Sequence, residues 1–358
     1  MLGLLLFFAL FADPNEAAAL LQRGLLALQH GQLIEARDAL EQASRDDPNN
    51  PYVWASLAQT YLRLKDPAKA SIAADTAEKS AAGNPLVAHA LSMYCSEAGD
   101  FARAAKLEEQ YAESGKADAG AMSRAAELYM KAGDANGALA AAKIAAQQDP
   151  RVAFDWTQIF LRRGDFTPAA EVVQSGLATH PNDTQLTLAL GVARYGQRRF
   201  EDAIVAFLSV IQIDPTIEQP YLFLGRMLDQ AGSHLAEITQ DCQKWAEREP
   251  QNAKAQLVLA KALLTSNSDD PRAEAILRKA IALDPNEWES HYELGVLLAR
   301  KHVYPEAASE LKRSTELDPK QATPHYHLAR VYDRLGKPDL AQAERETHQR
   351  LTNSGAQP

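Results

Sequence analysis

Thirty-four residues separate Leu190-Gly191 from Leu224-Gly225, Phe166 from Phe200, Ala169 from Ala203 and Pro181 from Pro215. Unlike marks that return together at one step restrict a chain more than any composition can. They require stacked copies of a single supersecondary unit, each burying its apolar face against its neighbours.

The stretch from Thr184 to Pro215 shows what the unit is. Leu190-Gly191 lies midway along one amphipathic helix, Gln197-Arg198-Arg199 turns the chain, and Phe200 opens a second helix. Ala203, Phe207 and Val210 mark one face of that helix at helical spacing, and Asp214-Pro215 stops it. The eighth position of successive copies reads Gly24, Ala58, Ser92, Ala126, Thr157, Gly191, Gly225, Ala260, Gly295 and Ala329. Small residues there predict the closest crossing of the two helices, since axes about 8–10 Å apart leave little room for side chains. Alanine recurs at the twentieth position, from Ala36 to Ala341, for the same reason. Gly31, Gly99, Gly133, Gly164, Gly232 and Gly336 mark the turn inside the unit, where a helix C-terminus calls for a left-handed residue. Pro48, Pro150, Pro181, Pro215, Pro250, Pro285 and Pro319 mark the turn between units.

This helix-turn-helix unit with its step of 34 resembles the tetratricopeptide repeat, TPR. Ten units are expected from Ala17 onward, at 17–50, 51–84, 85–118, 119–149, 150–183, 184–217, 218–252, 253–287, 288–321 and 322–355, with a tail at 356–358. The resemblance implies an all-α, TPR-type solenoid, a right-handed superhelix whose first helices line a concave groove. Departures from the step predict local irregularity. The turn at Pro150 is short, and units seven and eight carry an extra residue near Ser233-His234 and Ser266–Asp270. Arg23 in the first unit, and Arg345 and His348 in the last, replace apolar groups, as end units with an exposed outer face require.

Met1–Ala12 carries no charge before Asp13-Pro14. Twelve helical residues rise roughly 18 Å, short of the hydrocarbon core of about 30 Å, so a spanning helix is not expected. The run has the length of a signal-peptide apolar region ending at Ala12, although it lacks a basic start and has Leu10 where a small residue is usual. Export to a periplasmic or envelope location is the expectation, with a greasy cap on the first repeat in a cytoplasmic protein as the alternative. The 37 basic and 47 acidic residues are spread evenly, which argues against nucleic acid. Cys95 and Cys242 fall on distant units and read as buried small hydrophobes.

No phosphate loop, HExxH, GxSxG or CxxC occurs, so no enzyme, cofactor, metal or small-molecule substrate is expected. His325 and His327 are two apart on a helix and do not face each other. Asn182-Asp183-Thr184 matches a glycosylation acceptor but sits where turns ordinarily hold Asn and Asp.

The resemblance implies that a partner peptide or helix binds at the second, fifth, ninth, twelfth and thirteenth positions of the first helices. In units seven to ten these include Arg226, Lys254, Lys261, Tyr292, Arg300, Tyr326, Arg330 and Arg334, interleaved with Leu222, Asp229, Glu289 and Asp333. Units two to five offer Tyr52, Gln59, His89, Met93, Arg124, Glu127, Phe154 and Arg162. A solvated mixed-charge face is the ordinary alternative. Three basic ninth positions, Arg226, Lys261 and Arg330, favour the C-terminal half and an acidic partner. TPRs that clamp the carboxylate end of chaperone tails place Lys at the fifth and Asn at the ninth position of one unit. Here those positions read Ala55 and Gln59, Leu188 and Val192, or Leu257 and Lys261, so that role is not expected. The leading function is a non-catalytic protein-interaction scaffold. The alternatives are an exported envelope, secretion or pilus assembly factor, and a substrate-recruiting subunit of a separate enzyme such as a glycosyltransferase.

Overall fold

The computed structural model describes residues 16–355 apart from Lys116 and Ala119; the apolar run Met1–Ala12 and the tail 356–358 lie outside the described residues. Twenty α-helices and no strand occur among the described residues. The described residues divide into two compact units, one ending at Ala189 and the other beginning at Leu190, inside α11 (Thr184–Gly196).

The first unit contains α1 (Glu16–Gln29), α2 (Leu33–Asp46), α3 (Pro51–Arg63), α4 (Pro67–Ser80), α5 (Pro85–Ala98), α6 (Phe101–Glu113), α7 (Ala121–Ala132), α8 (Ala135–Gln148), α9 (Pro150–Arg163) and α10 (Phe166–Thr179). The second holds α12 (Phe200–Ile213), α13 (Gln219–Arg226), α14 (Leu235–Arg248), α15 (Ala253–Ser266), α16 (Ala273–Leu283), α17 (Trp288–Arg300), α18 (Tyr304–Leu317), α19 (Ala322–Arg334) and α20 (Pro338–Gly355). In each unit helices pack against their hairpin partners, as α3 does on α4 and α17 on α18, while the short α13 packs on α12 and α15; first helices also meet the next first helix, as α3 meets α5 and α17 meets α19. Each unit is therefore an all-α solenoid with two layers of helices.

The small eighth positions do what their size predicts. A β-carbon added to Gly24 would stand 2.5 Å from Leu40, one on Gly191 2.5 Å from Phe207, and one on Gly295 2.6 Å from Leu311. Each glycine thus lies under a side chain sixteen positions later on the paired helix. Gly225 breaks the rule and lies under Val258 of α15 instead, since its residue sixteen on is the polar Asp241.

The turn glycines have φ between +50° and +84°. Three of the units without one put Lys65, Arg198 and His302 in the same left-handed region, at φ 60–62°. Their hydrogen bonds show why. The amide after each reaches back to a carbonyl of the last helical turn, as Arg199 does to Arg194 at 3.0 Å, which closes a Schellman motif only when the intervening residue is left-handed. Between α8 and α9 one residue does both jobs: Asp149 ends one helix and caps the next, accepting from the Arg151 amide at 2.8 Å. In the longer inter-unit turns, Asp214, Asp284 and Asp318 each accept from the amide two residues on, the one just past the proline.

The irregularity expected near Ser233-His234 is larger than one residue. Helix α13 ends after eight residues, and the chain continues in two 3-10 turns, Leu228–Gln230 and Gly232–His234. Met227, Leu228 and Ala231 stay buried, so the tighter winding keeps the apolar contacts while the register shifts.

Histidine–glutamate pairs join the two helices of a hairpin at a constant separation of 19. Nδ1 of His89 lies 2.8 Å from Glu108, that of His291 2.7 Å from Glu310, and that of His325 2.5 Å from Glu344. His325 and His327 indeed serve different surroundings, the first facing Glu344 and the second Tyr292 and Tyr326. At the C-terminal end Arg345 pairs with Asp333 at 2.8 Å and His348 Nδ1 lies 3.0 Å from the Ala322 carbonyl oxygen, so the polar residues of α20 are bonded at the end of the stack.

Candidate interaction face

The eight residues singled out in the C-terminal half divide sharply by chemistry. Both lysines are already engaged. Lys254 Nζ lies 3.2 Å from Glu218, and Lys261 Nζ lies 2.6 Å from Glu289, with only 15% of the lysine side chain exposed. The arginines form no ion pair among the described residues. Arg226 lies over the Phe223 ring at 6.0 Å and Arg330 over Tyr326 at 5.6 Å, both exposed to solvent. Arg300 and Arg334 stand at the exposed ends of α17 and α19. A guanidinium stacked on an aromatic face keeps its in-plane donors available, which suits carboxylate recognition.

The two tyrosines of this set share one neighbour, the ring of His327. Tyr292 of α17 is half-buried and meets the His327 ring edge-on at 5.6 Å. Tyr326, 44% exposed, meets the same ring edge-on at 5.3 Å. Burial pushes the Tyr292 hydroxyl up to about 12, with Glu293 and Glu289 adding to the shift. Burial first, then the positive charges of Arg330 and Arg300, hold His327 below the ordinary histidine value. Among the described residues its ring makes no hydrogen bond. At the same repeat position one unit earlier, Glu293 of α17 is partly buried and also lacks a hydrogen bond or ion pair among the described residues. Burial pushes its carboxyl up to about 7, against the opposing pull of Lys261 and Arg300.

The candidates in the first unit are mostly spoken for. Tyr52 donates to Asn84 at 3.2 Å, and Gln59 donates to Glu97 at 2.8 Å. His89 and Arg124 both hold Glu108, which is 2% exposed, and Arg124 also pairs with Asp118 at 2.8 Å. Met93, Glu127 and Arg162 are exposed or partly so and Phe154 is half-buried, scattered over three helices.

Glu293 and His327 escape the sequence reading because they occupy the sixth position, outside the set that the resemblance marks for contact. The signal that could have found them is contrast. The two preceding units hold Phe223 and Val258 there, so a titratable group stands where apolar ones are usual. The cysteines are buried, and burial pushes the thiols of Cys95 and Cys242 up to about 11 and about 12. Among the described residues no helix is long and apolar enough to cross a membrane, and no group of three acidic, histidine or cysteine side chains could hold a metal.

Family models described as tetratricopeptide repeat match residues 27–94, and residues 154–216 with 267–322. No curated protein sequence matches the chain. Among solved structures it is similar to TTC0263, a thermophilic TPR protein of Thermus thermophilus, at 21% identity over 47% of this chain and 91% of that one, with a TM-score of 0.41. It is similar to MamA from Desulfovibrio magneticus RS-1 at 17% identity, covering 58% and 97% of the two chains, with a TM-score of 0.35. It is also similar to yeast Tom70 at 14% identity, covering 94% and 92%, with a TM-score of 0.43.

Proposed function

The chain belongs to the tetratricopeptide repeat family, and from that premise we propose that it is a non-catalytic scaffold whose first-helix face in the second unit binds an acidic segment of a protein partner. One observation carries the reading: among the described residues Arg226, Arg300, Arg330 and Arg334 form no ion pair, while Lys254, Lys261 and Arg124 are already paired. Unpaired guanidinium groups beside half-exposed tyrosines are the residue types that anchor interfaces. Helices packed in a stack fix the backbone positions from which these side chains project, which lowers the ordering cost of binding.

The test is cross-linked affinity capture from the native host with residues 13–358 as bait. Beside it runs a variant with the four arginines changed to Gln and its helix content checked by circular dichroism. A partner held by the parent and lost by the folded variant supports the face. Equal capture by both removes it and turns attention to Met93, Glu127, Phe154 and Arg162. The partner's identity would also separate a scaffold for an envelope or secretion assembly from a recruiting subunit of a separate enzyme.

The uncharged run Met1–Ala12 supports export, with the mature chain beginning at Asp13 in a periplasmic or envelope compartment. N-terminal mass spectrometry of fractionated cells decides it. Recovery from cytosol with Met1 or Leu2 at the N-terminus would remove this reading.

A further inference from the structure

We infer that an acidic peptide on this face seats a carboxylate between Arg300 and Arg330 against His327, and that binding draws protons onto His327 and Glu293, so the face grips its partner more tightly as pH falls. The inference rests on the acidic-partner reading and names its subsite and its coupling.

Arg300 ends α17, Arg330 lies on the neighbouring helix α19, and both act electrostatically on the His327 ring. That ring meets Tyr292 and Tyr326 edge-on, with both nitrogens free of hydrogen bonds among the described residues. Two cations from neighbouring helices that both act on one imidazole favour an anionic ligand beside it. Tyr326 lies beneath the Arg330 guanidinium and 5.5 Å from His348 of α20, so an apolar side chain next to the carboxylate has an aromatic surface to cover. The charges acting on His327 are Arg330 and Arg300, both positive.

Glu293 lies on the same face of α17, without a direct partner among the described residues. The charges acting on it are Lys261 from α15, Asp229 from the turn after α13, and Glu289 and Arg300 from α17 itself. Lys261 is spent on Glu289. Lys261 still acts more strongly on Glu293, but Arg300 is the cation that acts on both Glu293 and His327, so it is the one an incoming carboxylate would share with them.

The signs agree. An arriving carboxylate favours the imidazolium of His327 and disfavours the ionised form of Glu293, so both take up protons. Between pH 6 and 8 the acidic side chains of an exposed peptide stay ionised and the arginines stay charged, so neither adds a slope of its own. By linkage, each proton taken up on binding tightens the complex by up to about tenfold per pH unit of acidification.

The experiment is fluorescence anisotropy on the full chain at pH 6 and pH 8 and constant ionic strength. The probe is a blocked, labelled twelve-residue peptide of three Glu-Leu-Glu-Phe repeats. The expected result is binding at least about threefold tighter at pH 6. Glu293→Gln should bind more tightly than the parent at pH 8, and Glu293→Gln with His327→Gln should lose most of the pH dependence. Carbon–proton NMR of the parent needs no variant: the His327 titration should move to higher pH when the peptide saturates the face. Equal affinity at both pH values, a slope kept in the double variant, or an unmoved His327 titration each overturn the inference while leaving the acidic-partner reading standing. No binding at either pH, or equal binding of a matched Lys-Leu-Lys-Phe peptide, overturns that reading itself and this inference with it.

Discussion

Gly191 lies so closely beneath Phe207 that a β-carbon on the glycine would stand 2.5 Å from the ring. The ring cannot retreat freely. Phe207 is fully buried and stacks on Phe223 at 4.8 Å, which in turn meets Tyr195 edge-on at 5.5 Å. Gly191→Val is therefore expected to destabilise the second unit by about 1–3 kcal/mol, the usual cost of overpacking a core. Denaturant unfolding followed by hydrogen exchange in α11 and α12 checks it, because long arrays need not unfold as one.

Lys65, Arg198 and His302 hold left-handed turns that other units give to glycine. An L-residue there carries a steric cost of roughly 1–2 kcal/mol, partly offset by glycine's greater freedom when unfolded. Arg198→Gly is expected to stabilise by about 0.5–1 kcal/mol on that balance. The same change at Arg199, which makes an ion pair with Asp202 and lies outside the left-handed region, is expected to destabilise. Thermal midpoints of the two variants decide it.

The contributions of His291 and Glu293 to the stability of the second unit should fall as pH rises toward and through neutrality, opposite in sign to that of His327. Glu310 raises the value for His291, with the Pro285 carbonyl assisting, and burial raises that of Glu293 to about 7. For both groups the folded-state value lies above the unfolded one. Their contribution is fully present below the unfolded value and is lost as pH climbs through the folded one. Glu293→Gln is accordingly expected to stabilise at pH 8 by on the order of 1–3 kcal/mol and to change little at pH 4. His291→Gln should reduce the pH dependence that remains. Thermal midpoints across pH 4–9 measure both.

Buried and exposed ion pairs in the first unit should differ in worth. Glu108 is buried and takes both His89 and Arg124, whereas Arg63 and Glu97 meet at the surface. Arg124→Met leaves a buried carboxylate with half its partners and is expected to cost about 2–3 kcal/mol, discounted from the fully buried case because Arg124 is part-exposed. Arg63→Met is expected to cost under about 1 kcal/mol. A smaller loss for Arg124→Met than for Arg63→Met would contradict the assignment.

Much of the fold was legible because it rests on local geometry. Glycine and alanine at the eighth and twentieth positions report a close helix crossing, and the glycine turns report a left-handed backbone. The Asp-Pro pairs report a helix that must stop. The break after Arg226 was legible only in part. The extra residue was visible, but the shift to 3-10 winding comes from keeping Met227, Leu228 and Ala231 buried at once.

The sequence by itself determined the helix pairs, their step, their crossings and their turns, since each follows from steric demands within one unit. Tertiary structure alone decided which charges on the first-helix face are free. Lys261 and Arg330 occupy the same repeat position, yet one finds Glu289 on the adjacent helix and the other lies over its own Tyr326. Charge pairing and pKa depend on groups brought together from separate helices and on how much water remains between them. A periodic pattern of apolar residues fixes neither.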